Sequence, residues 1–395
     1  MARIVFFCIP AHGHTNPTLG VVKELTRRGH EVLYYSYSPF REKIEAAGAN
    51  FVACDDFDAE LHLTKEEVSR LGSDLKLSTR VLVDTTLALD DLVCREMEAL
   101  QPDCIVADSM AVWGKAVAKK LGIPLVSSTT TFAFNRYSAK IMKRRFREGI
   151  SMLFAMPQIR NDLKRLQEKG YPVKNILEII GNDAFTDTIV YTSPEFQPFS
   201  ETFSDKYAFV GPVLRPVEQR VTKQREMLIY ISMGTVNNDM VPLYRNCIQA
   251  LGGGEYQVIA SVGSQVDLSA FGKLPENVTV YPSVDQIAVL EKADVFLTHC
   301  GMNSVSEGLY FGVPLLMLPK TREQEGVAER VQQLGAGILL KDTSPEAIVS
   351  QVERLLADSV YKIKAEEIGA GFRRCGGAMA AADKIESICR KGNCP

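Results

Sequence analysis

A histidine, a short turn containing glycine, and two side chains rich in hydrogen-bonding atoms follow one another at His299-Cys300-Gly301-Met302-Asn303-Ser304. An apolar run, Val295 to Leu297, precedes them. A segment with helical spacing, Asn303 to Phe311, follows, and Gly312-Val313-Pro314 leads into a second apolar run, Leu315 to Leu318. Strand, glycine turn, helix and strand make one βαβ unit. The first amides of its helix have no partner inside the helix and point at whatever lies over the strand end, where an anion is favoured. The chemistry expected of the stretch from Asp294 to Gln324 is therefore phosphate binding, with His299 beside the cradle.

A second loop of interest opens the chain. Ile4 to Ile9 reads as a strand buried on both faces, and Pro10 to Thr15 reads as a loop carrying His12 and His14. Asn16-Pro17 predicts a helix start with proline at the first helical position. Leu19, Val22 and Leu25 give that helix one apolar face, Gly29 ends it, and Glu31 to Tyr35 is the next strand. The loop lacks the G-x-G-x-x-G of close pyrophosphate approach and holds A-H-G-H-T-N-P instead. Farther on, Cys104 to Ala107 is a strand ending in Asp108, followed by a helix from Val112 to Leu121 and a strand from Pro124 to Ser127. Residues 135–169 read as helical and basic. Thr188 to Tyr191 and Tyr207 to Val210 close the first half.

The polar, proline-containing stretch 211–225 predicts a linker. After it the α/β pattern restarts, with strands at Met227 to Ile231, Tyr256 to Ser261, Val278 to Tyr281, Val295 to Leu297 and Leu315 to Leu318. Helices are expected near Val241 to Leu251, Gln286 to Glu291, Glu323 to Leu334 and Pro345 to Leu356. The predicted division is thus 1–210, linker 211–225, 226–371, and a C-terminal helical stretch 372–395. Two parallel α/β halves would hold a joint ligand in the cleft at the carboxyl ends of both sheets.

Size and composition agree with this. The chain has 395 residues, 46% of them apolar, enough for two ordinary cores. A net charge of −3 gives no general pull towards nucleic acid or an anionic membrane. No run approaches the roughly 18 apolar residues of a membrane span, and the N-terminus has too short an apolar run for a secretory signal. Nine cysteines without a C-x-x-C pair read as free intracellular thiols. A cytoplasmic protein is expected.

Four motifs in register carry a resemblance over nearly the whole length: P-A-H-G-H-T-N-P at the start, V-A-D-S at 106–109, I-S-M-G-T at 231–235, and F-L-T-H-C-G-M-N-S-V-S-E-G-L-Y-F-G-V-P followed by E-Q. Together they resemble the UDP-sugar-dependent glycosyltransferases of GT-B architecture, in the bacterial macrolide and natural-product branch. The resemblance implies two Rossmann-like domains, acceptor first and donor second, with the last helix packing back on the first domain. It implies that His14 is the base that deprotonates an acceptor hydroxyl and that Asp108 orients it. His12 ranks second, because the family's H-x-N-P spacing selects His14. It implies His299 as donor to the α-phosphate of UDP, Gly301 as the close-approach residue, and Asn303, Ser304 and Thr235 as further diphosphate contacts.

Glu307 would hold the ribose hydroxyls, though Ser304-x-x-Glu307 also fits a capping box. Glu323 and Gln324 would read the sugar, Gln324 fitting glucose users. Family members often stack an aromatic residue on uracil just upstream. Here that place falls to Ser283, with Tyr281 nearby and Trp113 in the other half, which leaves Val284 and Gln286 to hold the base.

The implied reaction is direct displacement from UDP-glucose on a small hydrophobic acceptor, inverting an α-linked donor to a β-glycoside, with no metal and no cofactor. Asp56-Phe57-Asp58 reads as solvated acid rather than a metal site. Alternatives are a UDP-sugar epimerase of the same architecture, a non-catalytic nucleotide-sugar sensor, and transfer to a lipid acceptor through the basic stretch.

Overall fold

The computed structural model describes residues 1–55, 64, 67, 74–135, 137–138, 146–173, 185–217, 219–234 and 240–392. The chain forms two compact units, Met1–Val213 with Gly376–Pro395, and Leu214–Cys375.

The first unit is built on seven parallel strands in the order β3-β2-β1-β4-β5-β6-β7. They are β1 (Arg3–Phe7), β2 (Glu31–Ser36), β3 (Asn50–Ala53), β4 (Cys104–Asp108), β5 (Leu125–Thr129), β6 (Asp187–Val190) and β7 (Tyr207–Phe209). Side chains alternate across a strand, so β1 feeds two cores. Val5 and Phe7 pack with Ile105 and Ala107 under α3 (Leu75–Leu100) and α4 (Val112–Leu121), through Val93, Met97 and Val117. Trp113 belongs to this core. Ile4 and Phe6 pack on the other face with Val106, with Val22 and Leu25 of α1 (His12–Arg27), and with Ala381, Ile385 and Ile388 of the last helix, α12 (Gly377–Gly392). Polar ties hold α12 in place: Arg28 to Asp383 at 2.6 Å, His30 to Glu386 at 2.9 Å and Lys384 to Asp187 at 2.6 Å.

One reading of the first half changes. The helix expected to start at Asn16-Pro17 begins one turn earlier, at His12, so Pro17 lies inside it and His14 lies in its first turn. The amides of His14 and Thr15 both reach the Ala11 carbonyl, at 3.0 and 2.9 Å. Thr15 and Thr18 are buried, and the Thr18 hydroxyl lies 2.7 Å from that of Tyr34, which anchors the extra turn. Of the basic helical stretch, α5 (Phe146–Glu168) is described, whereas Arg136 and residues 139–145 lie outside the described residues. Asp56 and Asp58 lie outside them too.

The second unit holds six parallel strands in the order β10-β9-β8-β11-β12-β13. They are β8 (Leu228–Ser232), β9 (Gln257–Ser261), β10 (Val278–Tyr281), β11 (Val295–Thr298), β12 (Leu315–Met317) and β13 (Gly337–Leu339). Ile229, Ile231, Val295, Leu297 and Leu316 pack under α6 (Val241–Leu251) and α10 (Pro345–Ala357), through Tyr244, Cys247, Ile348 and Val352. On the opposite face Gly308 of α8 (Met302–Tyr310) lets the helix sit down on the sheet. A Cβ there would stand 3.1 Å from Phe296 and from Leu315.

Each sheet has a switch point. Strands β1 and β4 are neighbours, yet the sheet continues from β1 to β2 on one side and from β4 to β5 on the other. Strands β8 and β11 repeat this, with β9 and β12 on their outer sides. Connections leaving neighbouring strands in opposite directions open a crevice at the strands' carboxyl ends. No helix among the described residues is long and apolar enough to cross a membrane.

The packing of α12 yields a stability test. Ile385 is fully buried between α1 and the sheet, so Ile385→Ala should cost about 2–4 kcal/mol, read as a fall in the urea midpoint. A change under about 0.5 kcal/mol would mean α12 adds nothing to this core.

Candidate active site

At the switch point of the first unit, the turn after β1 starts α1, and β4 ends in Asp108. His14 Nδ1 lies 2.8 Å from Asp108 Oδ2, although 94 residues separate the two. An ionised carboxylate only accepts, so Nδ1 carries the hydrogen and Nε2 the lone pair. Asp108 is almost fully buried, 1% exposed, and its second oxygen accepts the Met110 amide at 2.8 Å. The carboxylate is thereby held in one orientation, and it holds the ring in one tautomer. The Thr130 hydroxyl, just past β5, stands 3.2 Å from the same Nδ1. The His14 side chain keeps 25% of its surface open. Such a ring can take a proton from a hydroxyl while the buried acid supports the imidazolium that forms. His12 is exposed and packs against Phe40, its centroid 4.9 Å away. Desolvation, with Lys43 adding to it, lowers the basicity of His12.

At the switch point of the second unit His299 follows β11 directly, clasped by two glycines. A Cβ on Gly234 would fall 2.6 Å from His299 Cε1 and 2.7 Å from Nε2, and one on Gly301 would fall 2.9 Å from Nε2. Gly234 also has φ +85°, a conformation costly for other residues. The left-handed residue of the turn itself is not Gly301 but Cys300, at φ +68°. Cys300 is buried, with its amide 3.3 Å from Thr298 Oγ1. Backbone of this kind is strained and persists where the surroundings impose it. Burial pushes the His299 imidazole below the usual histidine range, only partly opposed by the Ser232 backbone. Its Nδ1 is buried and outside ordinary hydrogen-bond geometry, and its Nε2 edge lies towards the two glycines, which leave room beside it. Helix α8 begins after Gly301 without any side-chain cap. Asn303 and Ser304 therefore stand in its first turn and do not cap it.

The capping-box alternative for Glu307 is not what forms. Glu307 lies beyond the first turn, and its Oε2 accepts from Gln286 Nε2 at 2.5 Å. The same Nε2 is 3.4 Å from Ser304 Oγ, and Gln286 Oε1 accepts from the Tyr230 hydroxyl at 3.2 Å. Gln286 opens α7 (Gln286–Leu290), whose cap is Asp285. Val284, half-buried, precedes that cap, while Tyr281 and Ser283 are exposed. Burial pushes the Glu307 carboxyl upward, opposed by the Gln286 amide and Arg215, with Asp285 adding to the rise. A true capping box does form one helix later. Thr321 caps α9 (Arg322–Gln333), and Gln324 Oε1 accepts the amides of Lys320 and Thr321 at 2.8 and 3.1 Å. Gln324 is thus fixed by its carbonyl end, beside an exposed Glu323. Thr235 lies outside the described residues.

Comparison with known proteins gives this arrangement a family. Residues 245–372 match the model of the erythromycin biosynthesis protein CIII-like C-terminal domain. Over 98% of its length the chain is 31% identical to the uncharacterised UDP-glucosyltransferase YojK of Bacillus subtilis, covering 97% of that protein. This chain is a natural-product glycosyltransferase of GT-B architecture. It is 29% identical to demethyllactenocin mycarosyltransferase of Streptomyces fradiae, over 98% of this chain and 87% of that one. The solved structure of CalG4, the calicheamicin glycosyltransferase, superposes over 100% of both chains with a TM-score of 0.81 at 28% identity.

Three residues that the structure brings to the candidate site have no signal of their own in the sequence. Gly234 sat in the I-S-M-G-T motif, but its closeness to His299 needs the β8–β11 pairing. Thr130 is one of five consecutive Ser and Thr residues with nothing local to distinguish it. Tyr230 looks like any aromatic residue of a buried strand.

The upward shift of Glu307 gives a stability test with a defined sign. A carboxyl raised in the folded state binds its proton more tightly than in the unfolded chain. Stability is therefore lost as pH climbs from the ordinary carboxylate range through the raised value. Glu307→Gln, which keeps an acceptor for Gln286, should melt higher than the unaltered protein at pH 7–8, and the difference should close below about pH 4. A variant that melts lower at every pH would show that the carboxylate charge is well accommodated.

Proposed function

We propose that this glycosyltransferase moves glucose from UDP-glucose to a hydroxyl of a small apolar acceptor, with inversion to a β-glycoside. The observation that carries the reading is the buried Asp108 carboxylate 2.8 Å from a part-exposed His14 ring. A hydroxyl becomes a competent nucleophile only as its proton leaves, and His14 Nε2 would accept it. Removing a base of this kind typically costs about 10²–10⁴ in rate. Met110 and Phe134, in the loops after β4 and β5, are 40% and 47% exposed and offer apolar surface to the acceptor.

In the second unit the uncapped start of α8, the His299 Nε2 edge and the side chains of Asn303 and Ser304 would take the diphosphate, with Gly234 and Gly301 allowing close approach. Fixed dipoles of this sort meet the charge growing on departing UDP without having to reorganise. No metal is called on. Glu307 and Gln286 would take the ribose and the edge of the base, with Val284 beside them. Glu323 and the amide end of Gln324 would meet the sugar. The names of relatives such as YojK favour UDP-glucose as donor. An epimerase would have no use for the His14–Asp108 pair.

Incubation with UDP-glucose and a phenolic acceptor, followed by mass spectrometry and NMR of the product, should give a β-glucoside. An isomerised nucleotide sugar with no glycoside would sink the transfer reading. His14→Ala should bind UDP as the unaltered enzyme does and lose about 10²–10⁴ of its turnover. Asp108→Asn, whose amide cannot enforce the same tautomer, should lose a comparable factor. Near-normal rates in either variant would remove the base assignment. His299→Ala should weaken UDP binding by calorimetry, and an unchanged affinity would move the diphosphate elsewhere.

A further inference from the structure

We infer that Tyr230 is a positioning residue for the nucleoside end of the donor, acting through Gln286 on the Glu307 carboxylate, and that this chain of contacts selects ribonucleotides over 2′-deoxyribonucleotides. The inference rests on the donor reading above.

Tyr230 is on the central strand β8, 1% exposed, with its ring stacked on Phe296 (centroids 4.9 Å apart, planes 20° apart). Its hydroxyl consequently has one position, and a buried hydroxyl requires a partner. Gln286 Oε1 takes its proton at 3.2 Å, while the side chains of Ser232 and Ser261 also hydrogen-bond the tyrosine oxygen. An amide has two ends. Fixing the oxygen towards Tyr230 turns the NH₂ towards Glu307 Oε2, 2.5 Å away, and Ser304 Oγ. The opposite flip would set an amide oxygen against a carboxylate oxygen and leave the tyrosine O–H facing an N–H.

Tyr230 and the carboxylate thus hold the two ends of the Gln286 amide in one orientation, and Gln286 in turn holds the carboxylate. Arg215 and Asp285 act on the same carboxylate through charge, with opposite signs. A carboxylate accepts only, and the oxygen that Gln286 does not hold needs donors from outside. A ribose cis-diol brings two O–H groups, and a 2′-deoxyribose brings one. In a pre-set site the missing donor leaves a partly buried acceptor unmet, which penalises the deoxy ligand. In a loose site the carboxylate turns to suit either sugar.

The test uses the full-length enzyme and two probes, UDP and 2′-deoxy-UDP, titrated by calorimetry. The unaltered enzyme should prefer UDP on the order of tenfold or more. Tyr230→Phe, which removes one oxygen from a packed ring, should reduce that preference at least about threefold. It should also raise KM for UDP-glucose while leaving kcat at saturating donor within about twofold. In a Glu307→Gln background the same substitution should leave the preference as it is, because the two residues lie on one path. A preference unchanged in Tyr230→Phe overturns the inference, as does an equal loss with Glu307→Gln already present, which is what a general loosening of β8 would give. UDP binding without discrimination against 2′-deoxy-UDP overturns this inference alone. Failure of the unaltered enzyme to bind UDP overturns the donor reading and this inference with it.

Discussion

Neighbouring parallel strands whose connections leave in opposite directions are the constraint from which each unit's site follows. Parallel strands run about 4.8 Å apart, and their crossovers are right-handed. Two side chains placed just past the ends of β1 and β4 are therefore brought within hydrogen-bond reach regardless of the chain between them. That is how His14 and Asp108 meet across 94 residues. The pairing of β8 with β11 does the same for Gly234 and His299. The apolar cores on both faces of each sheet hold the strand register. The register, more than any local preference of the loops, sets the distances at which chemistry is possible.

Departures from ordinary local rules gather at these same strand ends. Asp108 is a buried acid with a histidine partner, His299 has a buried nitrogen outside ordinary hydrogen-bond geometry, and Cys300 takes a left-handed conformation that glycine would take more easily. Gly234 and Gly301 give up side chains to let an imidazole lie between them. Such departures are not confined there, since Gln101 and Phe199 are also left-handed and Ser36 and Thr192 carry buried oxygens without a partner, while helices such as α9 and α10 are capped in the ordinary way.

Much of this was legible in the sequence because most strands are short apolar runs between turn signals. Val278–Tyr281 and Val241–Leu251 lie where periodicity put them. The βαβ unit around His299 could be read directly, as could the helix breaks at Gly29 and Gly312. Pro17 misled, since proline marks a first helical position only when nothing earlier can carry the helix, and the double bonding of the Ala11 carbonyl is not a local signal. The alternative reading of Ser304-x-x-Glu307 as a capping box fails for a related reason. A capping box needs its serine at the cap, and the chain turns into the helix three residues sooner, at Gly301. β3 and β13 are too short, and Leu75–Leu100 too mixed in character, to stand out without the neighbours they pack on. What sequence could not offer at all was the order of strands, and with it Tyr230, Gly234 and Thr130.

The two switch points share a geometry and yet are not interchangeable, and the difference lies in where the acids stand. In the first unit a carboxylate sits at the strand end itself, against the histidine, where the proposed reaction needs a proton accepted and a transient positive charge supported. The same carboxylate at the corresponding place in the second unit would repel a phosphate and cancel the field of the α8 amides. There the strand-end position belongs to His299, a ring whose burial favours the neutral state, and the helix start carries no capping oxygen to compete for its amides. The acid that the second unit does retain, Glu307, is set back along the helix and turned aside by Gln286. On the proposed donor reading, negative charge is thus kept off the diphosphate's place and held where hydroxyl groups need an acceptor.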